Sequence, residues 1–261
     1  MRWIRFTADG NTGYGIVEGD QIAAVEGSIF ADWRRTGWTH KLSDVRIEVP
    51  IIPPTFYAAG LNYAKHVLEG AARRGVPPNL PSSADIGYRA NNALVAHGQN
   101  VIIPADATEA VHYEGELAVI IGKTAKNVSE TEAMGCVFGY SIGNDVSERT
   151  WQKDDRTFFR AKNADTFKPM GPWIETELDL DAARTIVRVN GKQTIEFETN
   201  ALLFSIATFI SRTSHYCTLH PGDMIWMGTD GTSPNIANGD TVEIEITGIG
   251  VLSNKFVKGK A

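Results

Sequence analysis

At 261 residues, 43% of them hydrophobic and 21% charged, the chain is long enough to bury a sizeable core as one large domain or one domain with a small appendage. A formal net charge of −6 offers no excess of Lys and Arg for phosphate contacts, so nucleic acid is not an expected partner. No run of about 18 apolar residues suggests a membrane span, and two distant cysteines, Cys136 and Cys217, give neither a disulfide framework nor a cysteine zinc site.

The N-terminus, MRWIRFTADG, lacks the apolar run of a signal peptide, so the cytoplasm is the default expectation. Met1 to Thr7 and Tyr14 to Val17 read as short strands around a turn at Asp9-Gly10-Asn11, with a second turn at Gly19-Asp20. A polar stretch with Trp33 and Trp38 follows. Val49-Pro50-Ile51-Ile52-Pro53-Pro54 then interrupts regular structure, because proline blocks helix and ladder bonding. This places a domain boundary between residues 1–52 and 53–261. Asn62 is positioned to cap a helix from Tyr63 to about Arg74, with Ala64, Val67, Leu68 and Ala71 as its apolar stripe. From Glu69 to Gly87 the chain holds Arg73 and Arg74, then Pro77, Pro78 and Pro81, with little apolar periodicity, and it reads either as a lid that closes over a site or as a surface loop that never approaches one.

Val111 to Ile121 alternates like a strand, Ser129 and Glu132 form a capping box, and Cys136 to Ile142 reads as a buried strand. Ile186 to Phe197 forms a hairpin about Asn190-Gly191, the preferred pair for a type I′ turn. Leu202, Leu203, Ile206, Phe209 and Ile210 have helical spacing. A turn at Pro221-Gly222 precedes a strand from Met224. Val242, Ile244 and Ile246 alternate in a late strand, after which Gly248 and Gly250 suggest bulges. Strands outnumber helices without alternating regularly with them, which argues for an α+β, mostly β core and against a doubly wound parallel sheet.

Glu114 and Glu116 stand two apart in HYEGELAVIIG, a spacing that puts both carboxylates on one face of a strand. Like charges in an apolar strand are costly unless neutralised, and a hard divalent cation does this through oxygen ligands. Asp145, after the apolar run of GYSIGNDVSER, supplies a third carboxylate; three carboxylates without sulfur or a paired histidine favour Mg²⁺ or Mn²⁺ and admit Ca²⁺. The plainer reading is a solvated strand face and a turn aspartate. His66 and Glu69, three apart on the candidate helix, can act as a base and its orienting acid, or stand as a surface histidine beside an acid. Lys162 can meet a developing oxyanion, or be one more surface lysine. His112 shares the strand face of the glutamates, as a supporting partner or a rim residue.

Together the segments GLNYAKHVLE, HYEGELAVIIGK, VFGYSIGNDVSERTWQ, RAKNADTFKPMGPW, VNGK, LHPGDMIWMGTDG and GDTVEIEITGIGVLSN, in that order, resemble the fumarylacetoacetate hydrolase family over nearly all of residues 53–261. The resemblance implies the family's mixed β-roll with a small N-terminal domain, usually as a homodimer. It implies metal ligation by Glu114, Glu116 and Asp145, water activation by His66 and Glu69, and Lys162 as the active-site lysine. Arg149, Gln152 and Thr229 match positions near the substrate. Two departures fall close to that site: Arg89 and Ala90 stand where lysine and proline are usual, which makes Arg89 a substrate-facing candidate, and Asp230 replaces a proline. The activity implied is metal-dependent hydrolysis of a C–C bond in a small diketo acid of acylpyruvate or fumarylpyruvate type, through an enolate. A decarboxylase or isomerase of 2-oxo or 2-hydroxy-diene dioates in aromatic or sugar-acid catabolism is the alternative, and a non-catalytic metal-binding homologue is the reading from a different class.

Overall fold

The computed structural model describes residues 1–260, the side chain of Arg74 excepted. Two sheets dominate, so the α+β, mostly β expectation and the mixed β-roll are what the chain adopts. The larger runs through Trp33–Lys41, Gln21–Gly27, Asn11–Glu18, Arg2–Ala8, Lys168–Glu175, Val137–Asn144, Gly115–Ile121, Met224–Trp226, Phe56–Ala59 and Ile86–Tyr88 in that spatial order. It is mixed: Phe56–Ala59 runs parallel to Met224–Trp226, and the short strand Leu94–Ala96 runs parallel to Lys168–Glu175. The smaller sheet orders Lys192–Glu198, Arg184–Val189, Thr241–Ile246, Gly250–Lys258 and Val101–Ile103. Residues 1–41 are stitched to the rest by Arg2 and Trp3, which pair with Glu175 and Ile174 and continue the large sheet.

Gly115–Ile121 is buried throughout. Its alternation sends Leu117, Val119 and Ile121 into the core between the sheets, with Val187, Ile244, Leu252 and Phe256 opposite. Ala118 and Ile120 face a second core with Phe56, Met224 and Trp226. A strand covered on both sides is stiff, which suits it to carry a functional carboxylate at its head. Trp226 lies so close to strand Val137–Asn144 that a Cβ at Gly143 would meet its ring at 2.8 Å, so the side-chain-free position lets the sheet close there. Among the described residues, no helix is long and apolar enough to cross a membrane.

Several sequence expectations hold in detail. Ser129 and Glu132 form the capping box, and Asn190 and Gly191 both take positive φ between Arg184–Val189 and Lys192–Glu198. Others shift for identifiable reasons. The polar stretch with the tryptophans is an edge strand, Trp33–Lys41, held by pairing with Gln21–Gly27 rather than by burial. Asn62 does not cap the helix Ala64–Arg74; its amide instead binds Phe204 and Met227. The later helix begins at Ile206, where the Ser205 hydroxyl caps it by accepting from Thr208 N at 3.1 Å, so Leu202 and Leu203 precede it. Gly248 and Gly250 turn the hairpin between Thr241–Ile246 and Gly250–Lys258 rather than bulging a strand.

Candidate metal centre and active-site cavity

The expected strand from Val111 to Ile121 is broken at the residue that matters. Val111–His112 pairs with Ser147–Glu148, whereas pairing from Gly115 onward is to Val137–Asn144. Glu114 sits in the gap and is pinned from both sides: its N–H donates to Asn144 Oδ1 at 3.0 Å, and its carbonyl accepts from Asp145 N at 2.9 Å. This lock carries Asp145 across to the two glutamates. Carboxylate oxygens of Glu114, Glu116 and Asp145 lie within 4.8 Å of one another, and all three residues are buried.

Cations surround two of the three. Lys162, from the short helix Phe159–Asn163, puts its ammonium between Glu114 Oε2 and Asp145 Oδ2, at 2.6 Å from each. Arg149, at the start of helix Arg149–Asp154, reaches Glu114 Oε1 at 2.7 Å and Gln152 Oε1 at 2.9 Å. His112 Nδ1 accepts from Arg149 Nε at 3.3 Å, and its Nε2–H donates to Asn235 Oδ1 at 3.0 Å, so His112 supports the arginine as a neutral ring. Arg89 grips Asp145 with a fork, Nε to Oδ1 at 3.1 Å and Nη2 to Oδ2 at 2.8 Å. The expectation for Arg89 was substrate contact; the structure seats its guanidinium on a carboxylate of the cluster.

One charged residue escaped the sequence reading. Lys168 is fully buried and reaches Asp145 Oδ1 at 2.7 Å, with the carbonyls of Val146 and Phe167 at 3.1 and 2.9 Å. A lone lysine inside the apolar run FKPMGPW was the available signal. Burial drives its ammonium down to about 7 despite Asp145.

The carboxyl groups respond oppositely. Burial alone would raise Glu114 and Asp145, but Arg149 and Lys162 bring Glu114 to about 2, and Arg89, Lys162 and Lys168 hold Asp145 well below the usual carboxylate range. Glu116 has no ion pair among the described residues; its one partner is Gly228 N–H at 2.8 Å. Gly228 has φ +88°, a conformation that favours glycine, and this aims its N–H at the carboxylate. Burial, followed by the nearby Asp145 and Glu114, pushes Glu116 up to about 8. A buried carboxyl crowded by two others and without an ion pair among the described residues fits a hard divalent cation, and an all-oxygen donor set fits Mg²⁺ or Mn²⁺ best. Accordingly Glu116→Gln is expected to leave the metal-free thermal midpoint unchanged or higher while abolishing any upward shift with Mg²⁺. Thermal unfolding with chelator and with excess Mg²⁺ reads both; a retained Mg²⁺ shift would remove Glu116 from the ligand set.

The cluster floors an inner cavity of about 190 Å³, whose wall includes His66, Arg149, Gln152, Lys162 and Thr229. His66 Nδ1 lies 2.6 Å from the Gly231 carbonyl, which only accepts, so Nδ1 carries the proton and Nε2 keeps its lone pair. Glu69, expected to orient His66, is not bonded to it. Its carboxylate faces Lys65 at 3.9 Å and is 39% exposed. The structure thus gathers nine of the ten candidate residues at the cavity wall and leaves Glu69 turned away.

A mostly β fold of this type, with a buried all-carboxylate cluster at the floor of a cavity, defines an enzyme with a site suited to a divalent cation. Residues 55–257 match the fumarylacetoacetate (FAA) hydrolase C-terminal model, and residues 1–50 match the Rv2993c-like N-terminal model. The chain belongs to the fumarylacetoacetate hydrolase family. It is 41% identical over 232 residues, covering 86% of this chain and 84% of the relative, to protein Rv2993c of Mycobacterium tuberculosis. Its fold is similar to that of a 5-carboxymethyl-2-hydroxymuconate delta-isomerase from Mycobacterium smegmatis, with TM-score 0.90 and 36% identity over 99% of this chain and 100% of that one. It is also similar to a maleylpyruvate hydrolase from Sphingobium sp. SYK-6 solved with manganese(II) and pyruvate, with TM-score 0.79 and 28% identity over the whole of both chains.

Proposed function

We propose that this chain is a divalent-metal-dependent isomerase of small 2-oxo acids, moving a proton at the carbon next to the oxo group. The observation that carries this reading is His66. Gly231 fixes its tautomer and leaves the Nε2 lone pair free on the cavity wall, and among the described residues the partner of Nδ1 is this carbonyl and not a carboxylate that could take up the charge water activation would build. The likeness to a delta-isomerase supports the same chemistry.

Glu114, Glu116 and Asp145 would hold the cation, which supplies Lewis acidity toward the carboxylate and oxo oxygens of the substrate. The chain's own groups do the rest. Lys162 sets a fixed ammonium against the charge that develops on the oxo oxygen. Arg149, steadied by His112, and Gln152 orient the substrate, with Thr229 lining the same cavity. His66 Nε2 takes the proton from one carbon and returns it to another.

Hydrolysis of an acylpyruvate-like C–C bond is the second reading, and one observation favours it. Glu69 lies one turn from His66, and its contact with Lys65 is long and half-exposed, worth under about 1 kcal/mol, so a rotamer change would complete the pair. Proton NMR in D2O with Mg²⁺ or Mn²⁺ separates the two. Isomerase action puts deuterium next to the oxo group of an intact skeleton. Formation of pyruvate from an acylpyruvate without that exchange establishes the hydrolase instead, and neither signal across a panel of 2-oxo acids removes both.

A further inference from the structure

Residues 227–231 join the carboxylate cluster to His66. They follow strand Met224–Trp226 and lie against the start of helix Ala64–Arg74. Asn62, just ahead of that helix, donates from Nδ2 to the Met227 carbonyl at 3.1 Å. Gly228 gives its N–H to Glu116 Oε2 at 2.8 Å. Further along, the Gly231 carbonyl takes the Nδ1–H of His66 at 2.6 Å. One end of the stretch is therefore held by a cluster carboxylate, and the other end holds the ring. Thr229 and Asp230, between them, line an outer cavity of about 820 Å³ that shares His66 and Glu114 with the inner one.

Gly231 meets the ring from a backbone that packing has placed but not oriented. Its φ is +65°, and a Cβ there would lie 1.9 Å from Ile195 Cδ1, on strand Lys192–Glu198, so glycine is the residue that fits. Glycine also rotates more freely than any other residue, and a turned peptide would carry the carbonyl off Nδ1. Asp230 opposes that turn. Its Oδ1 accepts the Gly231 N–H at 2.8 Å, so both polar backbone groups of Gly231 are occupied, one by Asp230 and the other by His66. Gly231 is buried, and without this acceptor its N–H would favour any rotation that found another. The proline that Asp230 replaces would bring no acceptor, so the tie is a feature of this chain's own sequence.

We propose that Asp230 is a positioning residue for the proton transfer: by taking the Gly231 N–H it holds the Gly231 carbonyl against His66, which keeps the proton on Nδ1 and Nε2 open to the substrate. The inference rests on His66 being the base, as proposed above. Asp230 does this as a hydrogen-bond acceptor and not through its charge. Asparagine offers an oxygen in the same place and can replace it. Leucine, close to aspartate in shape but without an acceptor, cannot.

Nitrogen-15 NMR of the labelled full chain, taken above the ordinary imidazole range so that the rings are neutral, reads the tautomer of His66 directly. The spectrum of His66→Gln assigns its signals among the six histidines. The same proteins are assayed for proton exchange next to the oxo group of a 2-oxo acid in D2O with Mg²⁺. The parent is expected to show the Nδ1–H tautomer alone. Asp230→Leu and Asp230→Ala are each expected to show both tautomers and to lose about ten- to a hundredfold in kcat with KM within about twofold, because the base is displaced while the groups that bind substrate stay in place. Asp230→Asn is expected to show the parent's single tautomer and to recover kcat to within about threefold. A single Nδ1–H tautomer in the two acceptor-free variants overturns the proposal. So does an asparagine variant that falls with the leucine one, since charge would then be what matters, and so does a loss confined to alanine, which would trace the effect to packing. If one acceptor-free variant fails to fold, the other still decides. A parent that exchanges no proton overturns the isomerase reading, and the tautomers alone then decide whether Asp230 positions the ring.

Discussion

Asp145→Asn is expected to lower the thermal midpoint by something like 10 °C and to abolish both Mg²⁺ binding and turnover. The carboxylate takes the Arg89 fork, Lys162 and Lys168 on its two oxygens, all within a buried site. Removing one partner of a buried ion network costs about 3–5 kcal/mol, because the remaining charges stay desolvated and unpaired. In a chain of this size each kcal/mol shifts the midpoint by roughly 2–4 °C. Lys168, already brought to about 7 by burial, sheds its proton readily and softens the loss, which places the effect in the middle of the range. The pH dependence carries the same signature. Because Asp145 is held well below its ordinary value, its stabilisation is fully present above the unfolded carboxyl range near ~3.9 and drains as pH falls through the lower folded value. The asparagine variant should lack that part of the acid limb. Calorimetric unfolding of both proteins between acidic and neutral pH, with and without Mg²⁺, checks this. A variant midpoint within about 2 °C of the parent, or a preserved Mg²⁺ shift, would show that Asp145 neither anchors the network nor holds the ion.

The contrast with Glu116 shows which part of the site was legible in the sequence. The spacing of Glu114 and Glu116 puts two carboxylates on one face, and apolar neighbours demand compensation. Those facts suffice to suspect a cation. They do not reveal that Glu114 lies outside the continuous ladder, because that depends on Asn144 and Asp145 crossing from another strand. Nor do they distribute the counter-charges. Lys168 reads as one polar residue in an apolar run until the fold brings Asp145 against it. Likewise, the mostly β character, the capping box and the Asn190-Gly191 hairpin are local patterns and could be read directly. The edge strand Trp33–Lys41 could not: its residues are almost all exposed, and its partner alone makes it a strand. Asn62 failed as a cap for the same reason, because its partners, Phe204 and Met227, lie more than a hundred residues away.

His66 and Glu69 make the sharpest case, since helical spacing names neighbours without saying which contact forms. The carbonyl of Gly231, 165 residues distant, takes His66 Nδ1, and Lys65 takes Glu69. Two outcomes follow from this arrangement. His66→Ala is expected to slow turnover by about 10²–10⁴, the usual worth of a positioned acid or base, while Mg²⁺ affinity stays unchanged because the ring is no ligand. Glu69→Gln is expected to change proton exchange next to the oxo group by no more than a few-fold, because its carboxylate is one turn away and spent on a weak surface contact. If C–C hydrolysis is the true activity, the two variants should instead fall together, with the histidine now needing an acid partner to carry its charge. Measuring exchange and C–C cleavage on the same three proteins, parent and both variants, decides the matter. Equal large losses in both variants identify a working pair that forms on substrate binding. A loss confined to His66→Ala identifies a lone base oriented by a backbone carbonyl. A His66→Ala enzyme with full activity in both assays would remove the histidine from the chemistry and move attention to the other proton-carrying groups on the cavity wall, Lys162 among them.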